Sequence, residues 1–140
     1  MKNKLKLVLL VDDLDADNYY HKVVLRNLDC AEQVAVAMNG QKALEFLTTK
    51  VGNEFPKPDL IMLDINMPVM DGWEFLAAYE KLPADLRDGI VMMMVSTSLN
   101  EDDHENARQS DSIRDFIPKP LSEEKLLEVL KDSFPGRFDE

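Results

Sequence analysis

The strongest constraint on this chain is an alternation. Five short apolar runs, over residues 4–11, 33–38, 59–63, 90–95 and 113–117, are separated by stretches whose apolar residues recur at helical spacing. Residues 60–63 read Leu-Ile-Met-Leu, and residues 90–95 are apolar at every position. A strand that is buried on both faces looks like this, whereas a half-exposed strand alternates. Runs of that kind, each followed by a helix, argue for a parallel sheet covered by helices on both faces.

The helical stretches carry their own start and stop signals. Over residues 15–28, Tyr20, Val24 and Leu28 form one stripe, with Tyr19 and Val23 beside it. Asn39 is placed to cap a helix bearing Ala43, Leu44 and Leu47, and a loop with Gly52, Pro56 and Pro58 follows. Residues 73–81 read as a helix with Phe75, Leu76 and Tyr79 inward. Asn100 caps a helix with acids in its first turn. Ser122 opens the last helix, with Leu127, Leu130 and Phe134 on one stripe and Pro135-Gly136 as its stop. The reading is one domain over residues 1–140, with its core at about 4–134 and a short tail at 135–140.

Composition narrows the function. A formal net charge of −11 repels phosphate backbones and excludes nucleic-acid binding by this chain alone. The apolar run near the start ends at Asp12 and Asp13, too soon for a secretory signal, and nothing approaches the ~18 apolar residues of a membrane span. Cys30 is the only cysteine, so no internal disulfide forms, which agrees with a cytoplasmic location.

In open parallel sheets, function gathers where the carboxyl ends of the strands meet the following loops. Here those ends are Asp12-Asp13, Asp64, Ser96-Thr97 and Lys119. Each alone suits a loop or cap residue. Together they bring three carboxylates, hydroxyls and an ammonium to one edge. Carboxylates that close repel one another and raise each other's pKa, a cost that a hard divalent cation such as Mg2+ removes. A lysine and a small hydroxyl opposite the cation would hold phosphoryl oxygens, so the set suits transfer of a phosphoryl group to a carboxylate.

The segments Val11-Asp12-Asp13, Leu63-Asp64-Ile65-Asn66-Met67-Pro68, Met70-Asp71-Gly72, Val95-Ser96-Thr97 and Phe116-Ile117-Pro118-Lys119-Pro120 resemble the receiver domains of response regulators. The resemblance implies a CheY-like (βα)5 fold, a doubly wound five-stranded parallel sheet with flavodoxin-like strand order 2-1-3-4-5. It makes Asp64 the phosphoacceptor, Asp13 a direct Mg2+ ligand and Asp12 the acid that holds metal-bound water. The backbone carbonyl of Asn66 would complete the metal site. Ser96 matches the switch hydroxyl, Lys119 the phosphoryl-pairing lysine, and Phe116 the aromatic that turns inward when that hydroxyl moves. Pro120 matches a proline that often follows a cis bond. The implied partners are a histidine kinase or histidine phosphotransfer protein and an output protein not named by the sequence; a homodimer is among the pairings that receivers use. A stand-alone, non-enzymatic switch is the leading reading. A degenerate pseudo-receiver, kept only for protein contacts, is the alternative. A phosphohydrolase of the haloacid dehalogenase type would want an aspartate where Asn66 stands.

Three departures carry expectations of their own. Pro118 has no amide hydrogen for a ladder, so the fifth strand is expected to stop at Ile117. Thr97 is larger than the alanine common at that place and is expected to restrict Phe116. The loop at residues 48–58 is long. Trp73, Phe75 and Met92 to Met94 read as packing residues, and His21 and His104 as surface or boundary histidines.

Overall fold

Strand β1 (Leu5–Val11) is an interior strand of the sheet, and from Val8 onward both of its faces are buried. The computed structural model, which describes residues 4–138, pairs it on one side with β2 (Ala31–Ala37) and on the other with β3 (Leu60–Leu63). Strands β4 (Val91–Ser96) and β5 (Asp115–Pro118) continue the sheet, all parallel, in the order β2-β1-β3-β4-β5. Helices α1 (Asp15–Leu28), α2 (Gly40–Thr48), α3 (Gly72–Tyr79), α4 (Ala84–Arg87), α5 (Glu101–Gln109) and α6 (Glu123–Ser133) make the crossovers. The expected doubly wound fold and its flavodoxin-like order are both present.

Alternate side chains of a strand point to opposite faces, so β1 divides its residues between two core layers. Val8 and Leu10 pack with Val24 and Leu25 of α1 and with Leu126, Val129 and Leu130 of α6. Leu9 and Val11 pack with Ala43 and Leu47 of α2 and Phe75 and Leu76 of α3. Met93 joins the first layer while Met92 and Met94 join the second, which accounts for the methionine run as core. Among the described residues no helix is long and apolar enough to cross a membrane.

The local signals hold where a side chain can satisfy a helix end. Asn39 accepts from Lys42 N–H, Asn100 from Asp102 N–H, and Ser122 from Lys125 N–H. Asp71 and Glu74 form a reciprocal capping box, which starts α3 at Gly72 rather than at residue 73.

Four expectations need correction. Strand β5 runs through Pro118, which pairs with Ser96. The amide of Lys119 donates to Ser96 O, so the nitrogen of residue 118 faces the open side of an edge strand, where no donor is needed. On α1 the buried face is Asn18, His21, Val24 and Leu25, while Tyr19 and Tyr20 are exposed. His21 is therefore interior, not a surface or boundary residue; α1 is rotated to face the sheet edge where Lys119 lies. The core also continues past residue 134. Phe138 is 1% exposed and meets Phe134 edge-on, and Arg137 donates to the carbonyl of Lys4. Finally, β2 begins at Ala31 because Leu5 pairs there. Residues 139 and 140 of the expected tail lie outside the described residues.

Candidate functional site

Strand register builds the site. Val11 is opposite Leu63, and Leu63 is opposite Met94, so the chain leaves β1 and β3 side by side. The next residues are Asp12 and Asp64, whose amides donate to Ala37 O and Val11 O. One oxygen from each of Asp12, Asp13 and Asp64 falls within a sphere where all lie within 4.8 Å of one another. Asp12 and Asp64 are buried, and Asp13 is partly exposed. The predicted trio is thus brought together. Asn66 follows in the turn after β3 with its side chain exposed.

Lys119 enters from the end of β5. Its ammonium is 2.8 Å from Asp12 Oδ2, 2.7 Å from Asp17 Oδ2 and 3.6 Å from Asp64 Oδ2. Burial draws the Lys119 pKa down, but its hydrogen bonds to Asp12 and Asp17 and the charge of Asp64 prevail, and the net shift is upward. Asp64 Oδ1 accepts from Ile65 N–H at 2.9 Å, leaving Oδ2 on the lysine side. Burial pushes the Asp64 carboxyl above the usual carboxylate range; Lys119 opposes this and the charge of Asp12 adds to it. The folded protein therefore holds that proton more tightly than the unfolded chain. Stability falls as pH rises through the interval between the two pKa values, and ionised Asp64 is held at a cost.

Ser96 is 1% exposed, and its Oγ accepts from Ser98 N–H at 3.2 Å. Ser98 in turn donates to Asp103 at 2.6 Å, and Trp73 Nε1 donates to the other oxygen of Asp103 at 2.8 Å. His104 bonds Ser98 O, and its ring lies 4.3 Å from that of Phe116. Ser96 and Phe116 are thus joined through the β4–α5 loop. Thr97 is exposed and lines a cavity of about 350 Å³ with Asp17, Tyr20, His21, Lys119 and Pro120. The Lys119–Pro120 bond is cis, as the resemblance implied.

Sequence reasoning missed Asp17 and Asn18. Asn18 is buried and donates from Nδ2 to the carbonyl of Asp12, bracing the turn that carries two of the acids. The signal was present: a helix that starts at residue 15 keeps its first turn at the edge where Asp13 stands. Buried His21 also adjoins this edge, and burial followed by the charge of Lys119 lowers its pKa.

Comparison with known proteins agrees with this geometry. The family described as response regulator receiver domain matches residues 8–131. Response regulator Rcp1 of Synechocystis is 37% identical over 102 residues, which cover 72% of this chain and 68% of that protein. Two-component response regulator ORR1 of Oryza sativa subsp. indica is 31% identical over 128 residues, 90% of this chain, but the chain spans only 54% of that protein. Among solved structures, a two component response regulator from Cytophaga hutchinsonii superposes with a TM-score of 0.83 at 26% identity, covering 93% of this chain and 97% of that one. The sheet order, the acidic edge and a family match that runs from β1 into α6 lead to one conclusion: this chain belongs to the response regulator receiver domain family.

Proposed function

We propose that this chain is a phosphorelay receiver that takes a phosphoryl group on Asp64 from a phosphohistidine of a kinase or phosphotransfer protein and signals by altered protein binding. The observation that carries the reading is the buried carboxylate of Asp64, set between two further acids and a lysine. The donor set fits Mg2+, since three hard carboxylate oxygens converge and their mutual repulsion wants a cation. Asp12, Asp13 and Asp64 would hold it, with Asn66 lending its carbonyl. When bound it offsets the repulsion between the carboxylate and the incoming phosphoryl dianion.

The rest is done by the protein's own groups. Asp64 Oδ2 attacks phosphorus as the bond to the donor nitrogen breaks, and that electron pair leaves with the imidazole. Lys119 offsets charge on the transferred oxygens. Ser96 leaves Ser98 N–H to bond one of those oxygens, which loosens the loop that His104 and Phe116 share, a two-state shift biased by charge. The loops around the acids expose Leu14, Met38, Val69 and Leu99, an apolar collar on which a donor protein would seat.

The test is metal-linked stability together with labelling. Mg2+ at ~10 times its Kd should stabilise the wild-type protein by about 1.4 kcal/mol. Acetyl phosphate should add one phosphoryl group, and only without chelator. Asp13→Asn removes an anionic ligand and should lose most of the stabilisation in a calorimetric titration. Equal Mg2+ affinity in that variant would reject the site, and a wild-type protein that binds Mg2+ but takes no label would favour the pseudo-receiver.

A further inference from the structure

We infer that Asp17 is an electrostatic brake on transfer to Asp64: a positioning residue that draws the Lys119 ammonium away from the acceptor. The inference rests on the reading of Asp64 as the phosphoacceptor. Lys119 has three protons to give. The contacts to Asp17 at 2.7 Å and Asp12 at 2.8 Å are hydrogen bonds, whereas Asp64 Oδ2 at 3.6 Å is beyond that range. Asp12 belongs to the trio of acids that would share a cation, so its charge is compensated there. Asp17 lies outside that trio and stays paired with Lys119. Its carboxylate cancels much of the field that the lysine would present to an arriving phosphoryl dianion, and it adds a like charge of its own. Both effects oppose transfer.

A contrary effect would be that Asp17 holds the lysine in place usefully. The geometry argues against it. The Lys119 side chain is 9% exposed, its backbone amide is fixed by Ser96 O, and Asp12 anchors the ammonium independently. Removing the Asp17 charge therefore frees the lysine without releasing it. Asp17 also sits in the first turn of α1, where any acid favours the helix dipole. Asp15 shares that turn and is exposed, so Asp15→Asn separates the dipole effect from the lysine contact.

The experiment measures the rate of acyl phosphate formation from acetyl phosphate with saturating Mg2+. In this reaction Asp64 gains the P–O bond and acetate leaves with the electron pair of the bond broken. Asp17→Asn should label about tenfold faster than wild type. Asp17→Glu should label at close to the wild-type rate, and Asp15→Asn should stay within about twofold of it. In a Lys119→Ala background the gain from Asp17→Asn should shrink to about twofold, because only direct repulsion is then relieved. An Asp17→Asn protein that labels no faster than wild type, or an Asp15→Asn protein that gains as much, overturns the brake while leaving Asp64 as acceptor. A wild-type protein that takes no label overturns both.

Discussion

Alanine in place of Gly72 is expected to destabilise the protein by roughly 3 kcal/mol or more, a large share of the ~5–15 kcal/mol that a domain possesses. A Cβ at this position would collide with the carbonyl oxygen of Asp64 and stand 2.9 Å from Ile65 Cα. Both obstacles are backbone, so no side chain can swing aside. Relief requires pulling the start of α3 away from the end of β3, which also strains the 2.7 Å hydrogen bond from Gly72 N–H to Ile65 O. Glycine is needed here for close approach. The displaced backbone belongs to Asp64, the proposed acceptor, and to Ile65 beside it, so labelling should fall along with stability. Urea denaturation gives the measure; a Gly72→Ala midpoint equal to that of wild type would mean the approach is looser than described.

The second large effect is at the far end of the molecule. Phe138→Ala should cost about 3 kcal/mol, the usual loss for a fully buried phenylalanine, and lower the melting temperature by about 10 °C. The ring is 1% exposed and sits 6.3 Å from that of Phe134, against the layer of α1 and α6. Arg137 fastens the same segment to Lys4 O, at the start of β1. The acids lie at the other end of that strand, ~20 Å away. Mg2+ affinity and labelling should therefore remain as in wild type. A melting temperature within a degree or two of wild type would show the aromatic is dispensable.

Phe138 also shows where the sequence stops being legible. Local signals carry no information about a side chain that reaches its pocket after a proline and a glycine have ended a helix, so residues 135–140 read as a tail. Strands β1, β3 and β4 were legible because burial on both faces leaves continuous apolar runs, whereas the strand order was carried by the family resemblance alone. Asp12, Asp13 and Asp64 were legible because they directly follow apolar runs, and the two strands that carry them are neighbours in the sheet. Helix rotation was not. Tyr20 fits an apolar stripe on α1 as well as His21 does by spacing, and only tertiary packing reveals that His21 and Asn18 face inward while Tyr20 reaches across to the carbonyl of Leu121. Asp17 escaped notice because an acid in the first turn of a helix has a sufficient local explanation. The missing donor of Pro118 says nothing about which way that nitrogen faces, and in the edge strand β5 it faces away from β4.

The proposed mechanism requires that the phosphoryl group reside on Asp64. The direct measurement treats wild-type and Asp64→Asn proteins with acetyl phosphate and Mg2+, reduces the product with borohydride, and maps the peptides by mass spectrometry. Borohydride converts an aspartyl phosphate to homoserine, so the modified position is read as a changed residue. Asp64→Asn should remain folded and be more stable than wild type, since a neutral amide avoids the cost of burying a charge and relieves repulsion by Asp12. The expected result is homoserine at position 64 in the wild-type protein, none when chelator is present, and no label in Asp64→Asn. Label that survives in Asp64→Asn, or homoserine at another aspartate of the wild-type chain, would contradict the assignment.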